Sequence, residues 1–304
     1  MERLHVTDVA PRDGLQNQSV PVGTDGKLQL IERLAAAGVA SVEVTSFVSP
    51  KAVPQMADAG DLLPLVQQRL PALRTSVLVP NLTGLQRARA AGAREIAVVL
   101  SATETMNRKN INMGLEQAAE VSEQTVQAAL AAGLRARAYV AVAFECPFEG
   151  ETPLDRVVAL ARRMAAAGAQ EIVIADTIGA ASPAMVRDRL GALRQAVAAE
   201  RLAIHLHDTR GMAVANAWAA VEAGVRRFDA SVGGIGGCPF APGAAGNLAT
   251  EDLVLLAHRC GFETGIDLDA LLDAVDHAQA LLQRPLGGRS SAWLRGQRAK
   301  RQPA

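Results

Sequence analysis

Cysteine is scarce. Cys146, Cys238 and Cys260 make an odd set of three in 304 residues, with no C-x-x-C spacing. That argues against a disulfide framework and fits a reducing compartment. Net charge is lacking too, since 31 basic residues balance 31 acidic ones, and no global field draws the chain to nucleic acid or to a membrane. There is no run of 18 apolar residues and no cationic, apolar, cleavable N-terminus, so a soluble, untargeted, cytoplasmic protein is expected. No G-x-G-x-x-G follows the first strand, and the glycine-rich stretch before Asn247 lacks the Lys-Ser/Thr that closes a P-loop. Acidic residues run out after His277, while Arg284, Arg289, Arg295, Arg298, Lys300 and Arg301 accumulate. Residues 284–304 therefore read as a basic tail, either solvated and partly disordered or a flap that attracts an anionic ligand.

What is present is a core and a rhythm. Apolar residues make up 49% of the chain, and a helix end of small residues, a glycine and a β-rich run recur together. The pattern appears at Gly38 before VASVEVTSF, Gly92 before AREIAVVL, Gly133 before LRARAYVAVAF, Gly168 before AQEIVIADT and Gly224 before VRRFDASV. Glycine just past a helix end supplies a left-handed cap, so these are helix-to-strand joints. Helix starts are marked by Thr152-Pro153, by Ser182-Pro183 and by Thr250 ahead of Glu251 and Asp252. With strands at Leu4 to Val9, near Thr75 to Val79 and at His205, eight strands alternate with helices. The expected fold is an α/β (β/α)8 TIM barrel, a single catalytic domain over residues 1–283 with peripheral C-terminal helices.

Sites on such a barrel lie where strands end, and the polar residues there are candidates. The central one is His205-Leu206-His207-Asp208, whose two imidazoles share one face if the segment is a strand. With Asp13 and a further oxygen donor they make a mixed N/O site suited to Mg2+ or Mn2+. Asn247 is a candidate for that donor, and a turn residue otherwise. Arg12 beside Asp13 is either a cation for a developing oxyanion or the partner of Glu43 or Asp176, and the readings are compatible. Cys238 sits on the glycine-rich loop, from which a thiol reaches substrate; Cys146 is a weaker candidate and Cys260 reads as core.

Together these segments resemble the 3-hydroxy-3-methylglutaryl-CoA lyase family, whose barrel superfamily also holds isopropylmalate and homocitrate synthases. The matching blocks are VAPRDGLQNQ, EVTSFVSPKAVPQMAD, VPNLTGLQRA, RKNIN, CPFEG, DTIG, HLHDTRGMAVAN and GGIGGCPFAPGAAGNLATEDLV, in family order. TSFVSPK and the Cys238 loop separate lyase from synthase. The resemblance implies divalent-metal ligation by Asp13, His205, His207 and Asn247, polarisation of substrate by Arg12 and proton transfer by Cys238. It makes Glu43 and Asp176 essential carboxylates, with His205 and Asp176 relaying the hydroxyl proton. The implied reaction is retro-Claisen cleavage of a CoA thioester, (S)-3-hydroxy-3-methylglutaryl-CoA, to acetyl-CoA and acetoacetate, in a possible homodimer. Rival readings are a lyase for a longer or differently branched thioester and a Claisen-condensing acyltransferase. Arg210, Gln18 and Glu145 depart from the commonest family pattern, and Arg210 and Glu145 bear on acyl-chain specificity.

Overall fold

Runs of β-branched and small apolar residues, buried on both faces, form a parallel sheet that closes on itself. The structure, a computed structural model, describes residues 2–237 and 246–301. Its barrel strands are β1 (His5–Asp8), β2 (Ser41–Ser46), β3 (Arg74–Leu78), β4 (Glu95–Ser101), β5 (Arg135–Ala141), β6 (Glu171–Asp176), β7 (Leu202–Leu206) and β8 (Arg227–Ala230). Each pairs in parallel with its neighbours in sequence, and β1 pairs with β8 to complete the expected TIM barrel. Helices on the outside bury Leu, Ile, Val and Ala against it.

Local signals set the joints. Gly38, Gly92, Gly133, Gly168 and Gly224 all have positive φ, and at Gly38 a Cβ would stand 2.1 Å from the Gly265 carbonyl oxygen. Only glycine fits that turn. Ser182 caps its helix by accepting the Met185 N–H at 3.3 Å. Thr152 does not cap: Pro153 takes that position, and the Thr152 hydroxyl donates to the Val142 carbonyl at 2.7 Å.

Other expectations need correction. Within the basic stretch from residue 284, Ser291–Arg301 is a docked helix that buries Leu294 and not a solvated segment. Its Arg295, Arg298 and Arg301 each lie 2.6–2.7 Å from Asp276, Asp273 and Asp269 of the helix Leu268–Leu282. Cys260 is exposed at a helix end instead of in the core, whereas Cys146 is buried. A two-stranded hairpin, Glu145–Cys146 with Gly150–Glu151, follows β5 in addition to the eight barrel strands. Among the described residues no helix is long and apolar enough to cross a membrane.

The barrel interior holds polar as well as apolar side chains. Small Ala97 and Ala203 pack with Val173 around the single tyrosine, Tyr139. Beside that ring lie buried Arg137, Glu43 and Asp229.

Candidate metal centre

The APRDG segment leaves β1 as a buried π-helical turn, Ala10–Gly14, which turns Arg12 and Asp13 into the C-terminal mouth. Such turns are rare and concentrate at functional sites. Asp8 anchors the turn: its Oδ1 accepts the Ala10 N–H at 2.9 Å, and its Oδ2 accepts the Val232 N–H at 2.9 Å and the Thr250 hydroxyl at 2.7 Å. One carboxylate thus joins the end of β1, the turn after β8 and the start of a helix. Burial pushes its pKa up to about 7, against the three hydrogen bonds.

His205 and His207 project from the end of β7 to one point, with their Nε2 atoms 3.1 Å apart. Ligand atoms of Asp13, His205 and His207 all lie within 4.8 Å of one another. Asn247 is brought to them by backbone pairing. Its segment runs beside the end of β7, with Asp208 N–H donating to Gly246 O at 3.0 Å and Leu248 N–H to Leu206 O at 2.8 Å. A Cβ at Gly246 would stand 1.7 Å from Gly234 O, so the close approach requires glycine. Asn247 Nδ2 donates to Asp13 Oδ2 at 2.8 Å and to Ile235 O at 3.0 Å, while its Oδ1 is buried without a partner among the described residues. A buried acceptor with nothing to accept from is costly. It fits a cation beside the two imidazoles and the carboxylate, which together offer a mixed N/O donor set.

The electrostatics agree. Burial alone raises Asp13, but Arg12, His205, His207 and Asn247 outweigh it and hold the carboxyl below its usual range. Burial, followed by the neighbouring His205, pushes His207 down to about 4, which keeps a neutral imidazole for ligation. Arg12 is fixed by Glu43 Oε2, 2.6 Å from both its Nε and its Nη2, and its Nη1 lies 2.8 Å from Asp13. Of the two partners considered for Arg12, the structure supplies Glu43. Asp176 ends β6 with Oδ1 accepting the Ala180 N–H at 2.8 Å and Oδ2 the Ala181 N–H at 3.0 Å. Burial lifts it to about 6, against those bonds and the charges of Arg210 and His205. Arg210 reaches Glu145 at 2.9 Å, so two of the three departures from the family pattern form one bridge between the loops after β5 and β7. Cys238 lies outside the described residues.

A supporting layer that no sequence motif marks lies behind the histidines. Asp229 Oδ2 sits 3.4 Å from His205 Nδ1 and accepts the Tyr139 hydroxyl at 2.6 Å, while its Oδ1 accepts from Arg137 Nη2 at 2.6 Å. Burial pushes Asp229 up, but Arg137, His205 and Tyr139 hold it well below the carboxylate range. The available signal was a polar residue at inward positions of apolar strands, Arg137 and Tyr139 in RARAYVA and Asp229 in RFDA.

Comparison with known proteins gives the same centre a family. The HMGL-like family model matches residues 3–277. The mitochondrial hydroxymethylglutaryl-CoA lyase of Rattus norvegicus is 44% identical over 93% of this chain and 87% of its own. The crystal structure of hydroxymethylglutaryl-CoA lyase from Pseudomonas aeruginosa superposes with a TM-score of 0.93 at 38% identity, over 97% of this chain and 98% of that one. An HMG-CoA lyase from Acinetobacter baumannii, solved with coenzyme A and 3-methylmalate, gives a TM-score of 0.90 at 39% identity, over 95% and 94% of the two chains. With its barrel closed, its Asp-His-His cluster at the mouth and these likenesses spanning nearly its whole length, the chain belongs to the HMGL-like family and, within it, to the hydroxymethylglutaryl-CoA lyases.

Proposed function

We propose that this protein is a divalent-metal-dependent carbon-carbon lyase that cleaves (S)-3-hydroxy-3-methylglutaryl-CoA to acetyl-CoA and acetoacetate. The observation that carries the reading is the convergence of Asp13, His205 and His207 within 4.8 Å, with the unpartnered Asn247 Oδ1 beside Asp13. Mg2+ or Mn2+, held by these four residues, would supply Lewis-acid polarisation of the substrate oxygens. The rest of the chemistry belongs to side chains. The tertiary hydroxyl must lose its proton as the C2–C3 bond breaks, leaving C3 as the ketone of acetoacetate and the bonding pair in a thioester enolate. His205 is engaged at Nδ1 by Asp229 and directs Nε2 at His207. Asp176, lifted to about 6 and keeping lone pairs beyond its two backbone bonds, is the better proton acceptor near neutral pH. Arg12, immobilised by Glu43, is the fixed cation for the enolate oxygen. Cys238 is assigned the proton delivered to C2, on the family resemblance of its loop, which makes acetyl-CoA the second product.

The test is formation of acetyl-CoA and acetoacetate from 3-hydroxy-3-methylglutaryl-CoA with Mg2+ or Mn2+, after chelation, and with Cys238→Ala. We expect cleavage that needs metal and collapses by about 10^2-fold or more in the variant, the scale of a general acid. Cleavage that survives chelation would remove the metal from the reading, and full activity of Cys238→Ala would remove the thiol.

A further inference from the structure

The opposite end of the barrel carries a second charged cluster with no part in this chemistry. Strands β3, β4, β5, β6 and β8 begin with Arg74, Glu95, Arg135, Glu171 and Arg227. At this N-terminal pole a cavity of about 110 Å3 is lined by residues that include Arg3, His5, Ser41, Arg74, Glu171 and Arg227. Among the described residues its lining sets three guanidiniums and one imidazole against one carboxylate.

Each guanidinium is anchored along one edge. Arg74 gives Nε and Nη2 to Glu95 at 2.8 and 2.5 Å, Arg227 gives Nε to Glu200 O at 2.9 Å, and Arg3 gives Nη2 to Thr264 O at 3.1 Å. A guanidinium has five N–H groups, more than these anchors use. The lone lining carboxylate is already engaged by a buried cation, since Glu171 Oε1 lies 2.7 Å from Arg137, while its Oε2 stands at the longer distances of 3.6 and 3.7 Å from Arg74 and Arg227. The resulting field is positive: His5 titrates below its ordinary value, first through partial burial and then through Arg227, Arg3 and Arg74, with Glu171 opposing. Fixed guanidiniums facing one small space match the oxygens of a tetrahedral anion. The cavity falls well below the roughly 300–1,000 Å3 of drug-sized ligand pockets, so a nucleoside is excluded.

We propose that this cavity binds a small tetrahedral oxyanion, inorganic phosphate or sulfate, between Arg3, Arg74 and Arg227, at the end of the barrel remote from the lyase centre.

The experiment is a phosphate titration of the full chain, followed by the imidazole resonance of His5, assigned by its loss in His5→Gln, and by calorimetry. In the wild type, phosphate and sulfate should move the His5 resonance and raise its pKa, while adenosine monophosphate at equal concentration should not. Arg227→Gln and Arg3→Gln should each weaken phosphate at least tenfold, and Ser41→Asp should abolish it, with 3-hydroxy-3-methylglutaryl-CoA cleavage kept within twofold. A His5 resonance indifferent to phosphate overturns the proposal without reference to any variant. So does phosphate affinity that is equal in wild type and both arginine variants, which would place the anion elsewhere. Binding of adenosine monophosphate as tight as that of phosphate would overturn the small-anion assignment.

Discussion

Asp229 stands behind His205 as an anionic acceptor at Nδ1, which favours the tautomer that leaves the Nε2 lone pair free for a cation. Asp229→Asn keeps the volume and removes the charge. We expect metal affinity, read by calorimetry, to fall about 10–100-fold, the usual effect of losing a partner of a ligating histidine. The same substitution removes the carboxylate that lies 2.6 Å from buried Arg137, and breaking a buried pair costs about 3–5 kcal/mol. A thermal scan will register that cost whatever Asp229 does for the metal. Calorimetry separates the roles, because unchanged affinity in a destabilised variant would make Asp229 structural only. The sequence marks these residues only as polar positions in apolar strands and does not pair them: Arg137 and Asp229 lie 92 residues apart, and only the closed barrel makes them neighbours. His205, His207 and Arg12-Asp13 were legible because their spacing is itself the chemistry.

At the scale of elements, Asp8 shows how pH reaches the fold. Its ordinary value is 3.8 and its folded value about 7, so between those limits the native state holds more protons than the unfolded chain. Stability therefore falls as pH rises through that window. Asp229 runs the other way: its depressed pKa contributes stability above the ordinary carboxylate range and loses it as pH falls. Asp8→Asn is neutral throughout, but it places an amide against donors that now meet a carboxyl, at a cost of about 1–3 kcal/mol. In denaturant unfolding the gap between wild type and Asp8→Asn should narrow from pH 4 to pH 8, and a gap that widened would refute the assignment.

The C-terminal helix was illegible for a related reason. It buries only Ser291 and Leu294 and is otherwise polar and basic, so composition hides its one apolar edge, and its docking rests on aspartates of the preceding helix. Those pairs are partly exposed and worth about 0–1 kcal/mol each. The stronger attachment is just upstream, where buried Glu251 accepts the Gly288 N–H at 2.6 Å and the Ser291 hydroxyl at 3.1 Å, and Arg289 reaches Asp208, next to His207, at 2.7 Å. Truncation after Leu286 should therefore lower Tm by several degrees and weaken CoA-ester binding, whereas Arg298→Ala alone should move Tm by about 2 °C or less. A truncated chain with unchanged Tm would return residues 284–304 to the status of a tail. The five glycine joints, by contrast, were readable because a left-handed cap is a local requirement.

For the whole molecule, the proposed ion is a fold constraint as well as a reagent. Its donors come from the turn after β1, from the end of β7 and from the segment after β8, and Asp13 and Asn247 are 234 residues apart. The cluster thus spans the seam where β8 closes onto β1. An unfolded chain does not preserve that arrangement, so binding is linked to folding by RT ln(1 + [L]/Kd). At an ion concentration one hundred times Kd this is about 2.7 kcal/mol, several degrees in a chain of this size. Adding Mn2+ to metal-free wild type should raise Tm by that amount. In His207→Ala the shift should vanish together with calorimetric binding and turnover, while the far-ultraviolet spectrum stays that of an α/β barrel. An equal thermal shift in wild type and His207→Ala would place the ion away from β7, and the mouth would lose its claim to the metal.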